Sequence, residues 1–178
     1  LKTTPQGLTD RQFDGVARTV RDAAQQRGLG SDIVVQGSRA ERTAKPTSDI
    51  DLGIRVSPKK FDDFLNGSSR LASPNPGSAL ERTRNSAIER GLIQAGEARL
   101  SPTARTVAQD IIKTQPDVNR RVDLSVVRRG GPFDSSPTMD VPSARAATTR
   151  AAGQGALVGG AVDGAFSAAN ALRDGKLT

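Results

Sequence analysis

Residues 33–56 read IVVQGSRAERTAKPTSDIDLGIRV. The stretch opens on a short apolar run, Ile33 to Gln36, of the kind that forms a buried strand. Gly37-Ser38 ends that strand, and a polar segment from Arg39 to Ser48 follows, expected as a loop or short helix. From Ile50 to Val56 the chain alternates. Ile50, Leu52, Ile54 and Val56 share one face; Asp49, Asp51, Gly53 and Arg55 share the other. The pattern predicts a strand that turns two carboxylates away from the core.

The flanking sequence supplies helices and one more strand. Leu8 to Arg27 carries Phe13, Val16, Ala17, Val20 and Ala24 at helical spacing, with Thr9 and Gln12 at the positions of a capping box. Leu8 and Phe13 fit a hydrophobic staple, and Gly28 fits the stop. Ser57-Pro58 opens a short helix to about Leu65. Residues 66–78, NGSSRLASPNPGS, read as a linker, and helices are expected over Ala79–Gln94 and Pro102–Thr114. Val122 to Val127, VDLSVV, is a further strand, with Asp123 and Ser125 opposite Val122, Leu124 and Val126. Arg128 to Ser143 reads as a Gly/Pro loop. The organisation expected is an α/β domain over 1–143 and an Ala/Gly-rich helical or flexible tail over 144–178.

Composition narrows the chemistry. The 178 residues contain no Cys and no His, which excludes thiolate nucleophiles, Ser-His-Asp triads and Cys- or His-ligated metals. Carboxylates, hydroxyls, Lys/Arg and oxygen-bound hard cations remain. Lys+Arg outnumber Asp+Glu by 26 to 19, a net charge of +7, which points to an anionic partner such as nucleic acid or nucleotides. With no Tyr or Trp, base stacking on aromatics is poorly provided for, so a folded RNA held by its phosphates fits better than single-strand reading. No apolar run is long enough to span a membrane. Leu1 in place of Met leads us to expect a piece of something longer.

Asp49, Asp51 and Asp123 converge if their strands are neighbours in one sheet. Three such carboxylates repel unless a cation neutralises them, and hard oxygen donors select Mg²⁺ or Mn²⁺. Two ions, roughly 3.5–4 Å apart, can clamp an in-line phosphoryl displacement, one activating the acceptor hydroxyl and the other steadying the leaving pyrophosphate. Gly37 lets backbone approach a phosphate, and Ser38 can donate to its oxygens. Arg39 is either a surface charge or a phosphate ligand, as Lys45 could also be, and Ser48 either begins the strand or lines the site. Arg120, Arg121, Arg128 and Arg129 form either a solvated rim or a basic track for a polynucleotide. The competing reading of the acids is a solvated strand face. It leaves the third Asp and the well-spaced Gly-Ser unexplained.

Strand, Gly37-Ser38, Asp49-x-Asp51 in a strand and Asp123 in a later strand resemble the polymerase-beta-like nucleotidyltransferase superfamily, over Thr9 to about Arg128. The resemblance implies a small mixed sheet flanked by helices, with a helical C-terminal extension. It implies metal-dependent transfer of a nucleotidyl group from a nucleoside triphosphate. Asp49, Asp51 and Asp123 would be the catalytic metal ligands, and Gly37, Ser38, Arg39 and Ser48 the nucleotide-binding residues. RGLIQAGEARL and VDLSVVRRGGPFD are further similar to nucleotidyltransferase domains at the C-termini of bacterial polymorphic toxins, of the contact-dependent inhibition and Rhs type. That similarity implies a larger secreted parent protein, action in the target-cell cytoplasm, a cognate immunity protein and tRNA or another RNA as acceptor. Other acceptors considered are a protein or an aminoglycoside-type small molecule. A non-catalytic basic nucleic-acid-binding module is the alternative to an enzyme.

Overall fold

The computed structural model describes residues 4–114, 121–135 and 137–141. They belong to the compact unit Leu1–Val141; the second unit begins at Pro142, and the Ala/Gly-rich tail lies outside the described residues. The elements in chain order are α1 (Asp10–Gln26), β1 (Ile33–Gln36), α2 (Ser38–Glu41), β2 (Ile50–Val56), α3 (Pro58–Gly67), α4 (Ala79–Arg90) and β3 (Leu92–Gln94). There follow α5 (Ser101–Thr114), β4 (Val122–Arg128), a 3₁₀ turn (Pro132–Ser135) and β5 (Thr138–Asp140).

The strands form one mixed sheet in the order β3-β4-β2-β1-β5. β2 and β4 are parallel; the other pairs are antiparallel. A parallel pair needs a long crossover, which α3, α4, β3 and α5 supply. The alternation read from the sequence sets the faces. Ile33, Val35, Ile50, Leu52, Ile54, Val56, Val122, Leu124 and Val126 are buried in one core with α1, α3 and α5. The fold is the α/β arrangement expected.

Local chemistry fixes the helix ends. Thr9 Oγ1 accepts from the Gln12 N–H at 3.2 Å, and Gln12 Oε1 accepts from the Thr9 N–H at 2.8 Å, closing the capping box. Gln12 Nε2 also donates to Thr114 Oγ1 at 2.6 Å, which ties α1 to the end of α5. Ser57 caps α3, with Pro58 in its first turn.

Two expectations need correction. The helix expected over Ala79–Gln94 stops at Arg90, because Gly91 takes the left-handed conformation (φ 66°) and its N–H caps Ala87. Leu92–Gln94 then pairs with Ser125–Val127 as β3. The loop expected over Arg128–Ser143 contains the 3₁₀ turn and the edge strand β5, which pairs with β1. Three residues are too few to show a period of two.

The end of the sheet away from Gly37 is locked by charge. Arg55 on β2 reaches Asp32 at 3.2 Å, Asp140 at 3.4 Å and Asp134 at 3.9 Å, and Arg129 also pairs with Asp32. This network joins the start of β1 to the ends of β2, β4 and β5.

Candidate active site

Asp51 and Asp123 lie on the sheet face opposite the buried Ile50, Leu52, Leu124 and Val126. In register, Asp51 on β2 lies directly beside Asp123 on parallel β4 and opposite Gln36 on β1. Asp49 stands two residues before Asp51, at the mouth of β2. The strands carrying Asp51 and Asp123 are therefore neighbours, and Asp49 immediately precedes the first of them. Burial pushes the Asp51 carboxyl above the ordinary aspartate range; Asp123 and then Asp49 push it the same way, while Arg39 and Arg121 pull it back.

Gly37 turns the chain out of β1 at φ 67° and ψ −153°. A Cβ there would stand 2.9 Å from Asp51 Oδ2, so glycine is demanded by both the backbone and the neighbouring carboxylate. Ser38 follows as the first residue of α2.

Arg39 is placed differently from a phosphate ligand. It is 2% exposed. Its guanidinium donates to the carbonyls of Gln6 at 2.5 Å, Ser48 at 2.5 Å and Asp49 at 3.0 Å. The planar fork is directed at backbone, and it fixes the segment that delivers Asp49 into β2. The sequence shows an arginine after Gly-Ser but not which way it turns. Ser48 belongs to the same segment: its Oγ accepts from the Lys45 N–H at 2.9 Å, and its own N–H donates to the Lys45 carbonyl at 3.0 Å. Its hydroxyl serves this turn.

A cleft of about 600 Å³ opens beside the acids. Gly37, Asp51 and Asp123 line one part of it; Leu92, Gln94, Ser125 and Phe133 line another, with Arg90, Arg105 and Arg121 adding positive charge. The Arg90 guanidinium sits 5.7 Å from the Phe133 ring centre. Asp123 accepts from Arg121 Nε at 2.9 Å, in a pair whose side chains are 47% and 74% exposed, respectively. So exposed a pair is weak and easily exchanged for another partner. Among the described residues, no three acidic side chains already stand as a metal-holding group. The donor set is nonetheless all carboxylate oxygen, with Asp123 and Asp49 both disfavouring the ionised Asp51, which fits a hard divalent cation.

The cleft wall was not foreseen. Gln36, Gln94, Ser125, Arg90, Arg105 and Phe133 carry no motif. Only the strand alternation that places Ser125 with Asp123 offered a signal.

The family model for the nucleotidyltransferase domain matches residues 17–129, more than half of the chain. The chain belongs to the nucleotidyltransferase domain family. The match spans Gly37-Ser38 and all three acids, in agreement with the polymerase-beta-like resemblance. Comparison with curated proteins and with solved structures returned no match. Among the described residues of this nucleotidyltransferase domain, no helix is long and apolar enough to cross a membrane.

Proposed function

We propose that this nucleotidyltransferase domain moves a nucleotidyl group from a nucleoside triphosphate to an RNA acceptor, with tRNA as the first candidate. One observation carries the transfer reading: Asp51 and Asp123 are paired in register on parallel strands, beside the Gly37 turn and lining one cleft. The acceptor hydroxyl gives up its proton to solvent as its oxygen bonds to the α-phosphorus, the bond from that phosphorus to the bridging oxygen breaks, and pyrophosphate leaves. Gly37 and Ser38 hold the triphosphate where backbone can approach it. Asp49, Asp51 and Asp123 would hold Mg²⁺ or Mn²⁺, which when bound supplies charge neutralisation for the phosphates and lowers the pKa of the acceptor hydroxyl. Asp123 favours the deprotonated acceptor. Arg90, Arg105 and Arg121 compensate phosphate charge around the cleft.

The net charge of +7 supports a polyanionic acceptor. The toxin-like stretches support a domain delivered by a larger secreted bacterial protein into the cytoplasm of a target cell and neutralised by a cognate immunity protein. The test is incubation with Mg²⁺, the four α-labelled triphosphates and total RNA. Label on RNA is expected. Label on protein, or on an added aminoglycoside, replaces the RNA acceptor. Salt-sensitive RNA binding with no transfer and no response to Mg²⁺ replaces the enzyme with a binding module.

A further inference from the structure

The cleft holds a polar group that nothing among the described residues answers. Gln36 is 4% exposed, and its Nε2 has no hydrogen-bond partner among the described residues. A buried, unanswered amide is disfavoured unless something arrives to accept from it. Its direction is shown by a glycine. A Cβ on Gly53 would stand 2.9 Å from Gln36 Oε1 and 3.1 Å from Val127 Cγ2. The missing Cβ of Gly53 is thus the space into which the amide leans, from β1 across β2 toward β4. Ser125 is the β4 neighbour of Gly53, and Gln94 is the β3 neighbour of Ser125. Three neutral donor-acceptor side chains, Gln36, Ser125 and Gln94, therefore line the same cleft as Asp51 and Asp123.

Their place suits one part of a nucleotide. Ser125 lies two residues along β4 from Asp123, about 7 Å of strand. Phosphates belong beside the acids, so the rest of the nucleotide extends over this polar row. Buried Leu92 and the Phe133 ring add apolar surface for a flat heteroaromatic group. We propose that Gln36, with Ser125 and Gln94, reads the hydrogen-bonding edge of a nucleobase bound in this cleft. The inference rests on the nucleotidyl-transfer reading and adds the base site to it. The base belongs either to the donor triphosphate or to the terminal nucleotide of an RNA acceptor.

The experiment is calorimetry with Mg²⁺ and the α,β-methylene triphosphates of adenosine, guanosine, cytidine and uridine. Inorganic tripolyphosphate serves as the probe without a base, and four homopolymeric RNA hexamers as acceptor probes. Wild type is compared with Gln36→Met, which keeps bulk and loses the amide, and with Gln94→Met at an exposed position that does not load the fold. The donor arm predicts that wild type separates the four triphosphates and that Gln36→Met weakens the preferred one about tenfold. Tripolyphosphate affinity stays the same, and the melting temperature does not fall. If the hexamer ranking flattens and the triphosphate ranking does not, the base is the acceptor's and the site stands. Should Gln36→Met not fold, flattening of either ranking in Gln94→Met supports the site and an unchanged ranking overturns it. Equal wild-type affinity for all four bases in both series overturns the proposal. So do unchanged rankings in Gln36→Met, or equal losses for tripolyphosphate and nucleotide. Wild type that binds neither tripolyphosphate nor any triphosphate overturns the transfer reading itself, and the base site with it.

Discussion

Replacing Asp51 with asparagine separates function from stability. The carboxylate is half-buried, with Asp123 beside it across the parallel pair and Asp49 two residues before it. Each like-charged strand neighbour is unfavourable by about 0.2–1 kcal/mol. Attraction to Arg39 and Arg121 offsets part of this, and solvent screens more. The Asp51→Asn change keeps the shape and removes the charge, so the metal-free protein is expected to gain about 0.5 kcal/mol. That corresponds to a melting temperature about 1–4 °C higher. The pH dependence follows from the raised pKa. The folded state holds the Asp51 proton more tightly than the unfolded chain, whose aspartate titrates near 3.8. Ionised Asp51 therefore destabilises the folded state. The effect is absent below the unfolded value, develops as pH rises through the folded-state pKa, and is complete above it. The advantage of Asp51→Asn should accordingly be present at neutral pH and disappear on acidification. Urea denaturation at a series of pH values, in chelator, measures it beside a transfer assay in Mg²⁺. Transfer should be lost while stability rises. A variant destabilised by more than about 1 kcal/mol would refute the reasoning, because Asp51 would then be anchoring the fold in the manner of a satisfied polar group.

Gly37→Ala should lose transfer about tenfold or more and 1–2 kcal/mol of stability, roughly, because its Cβ meets Asp51 Oδ2 at 2.9 Å from a left-handed backbone; transfer kinetics and urea melts check both. Arg39→Met should lower stability by about 2–4 kcal/mol by leaving the carbonyls of Gln6, Ser48 and Asp49 unanswered. Arg39→Lys should recover only part of that loss, with kcat reduced more than the KM for triphosphate changes, since a single ammonium cannot hold three carbonyls in one plane. Arg55→Met should lower stability by about 1–2 kcal/mol through the Asp32, Asp134 and Asp140 pairs and leave Mg²⁺-dependent triphosphate binding unchanged by calorimetry.

The parts legible in sequence were those with a period or a spacing. A short apolar run placed β1 at Ile33–Gln36, alternation placed β2 at Ile50–Val56, and the capping box at Thr9 marked the entry to α1. The side on which Asp51 and Asp123 emerge followed from the same alternation; that their strands pair did not. β3 and β5 were illegible because strands of three residues borrow their identity from the strand beside them. The direction of Arg39 stayed open in the sequence because an arginine that reaches a phosphate and an arginine that clamps a loop are the same letter at the same position. Gln36 closed a buried strand unnoticed, and only the space above Gly53 gives its amide a direction.

The most direct measurement compares α-labelled with γ-labelled triphosphate in Mg²⁺ and RNA, using wild type and the Asp49→Asn/Asp51→Asn double variant. The account predicts stable label on acceptor from the α position only, pyrophosphate released in equal amount, and neither from the double variant. Acceptor labelled from the γ position, or α-label undiminished in the double variant, would contradict it.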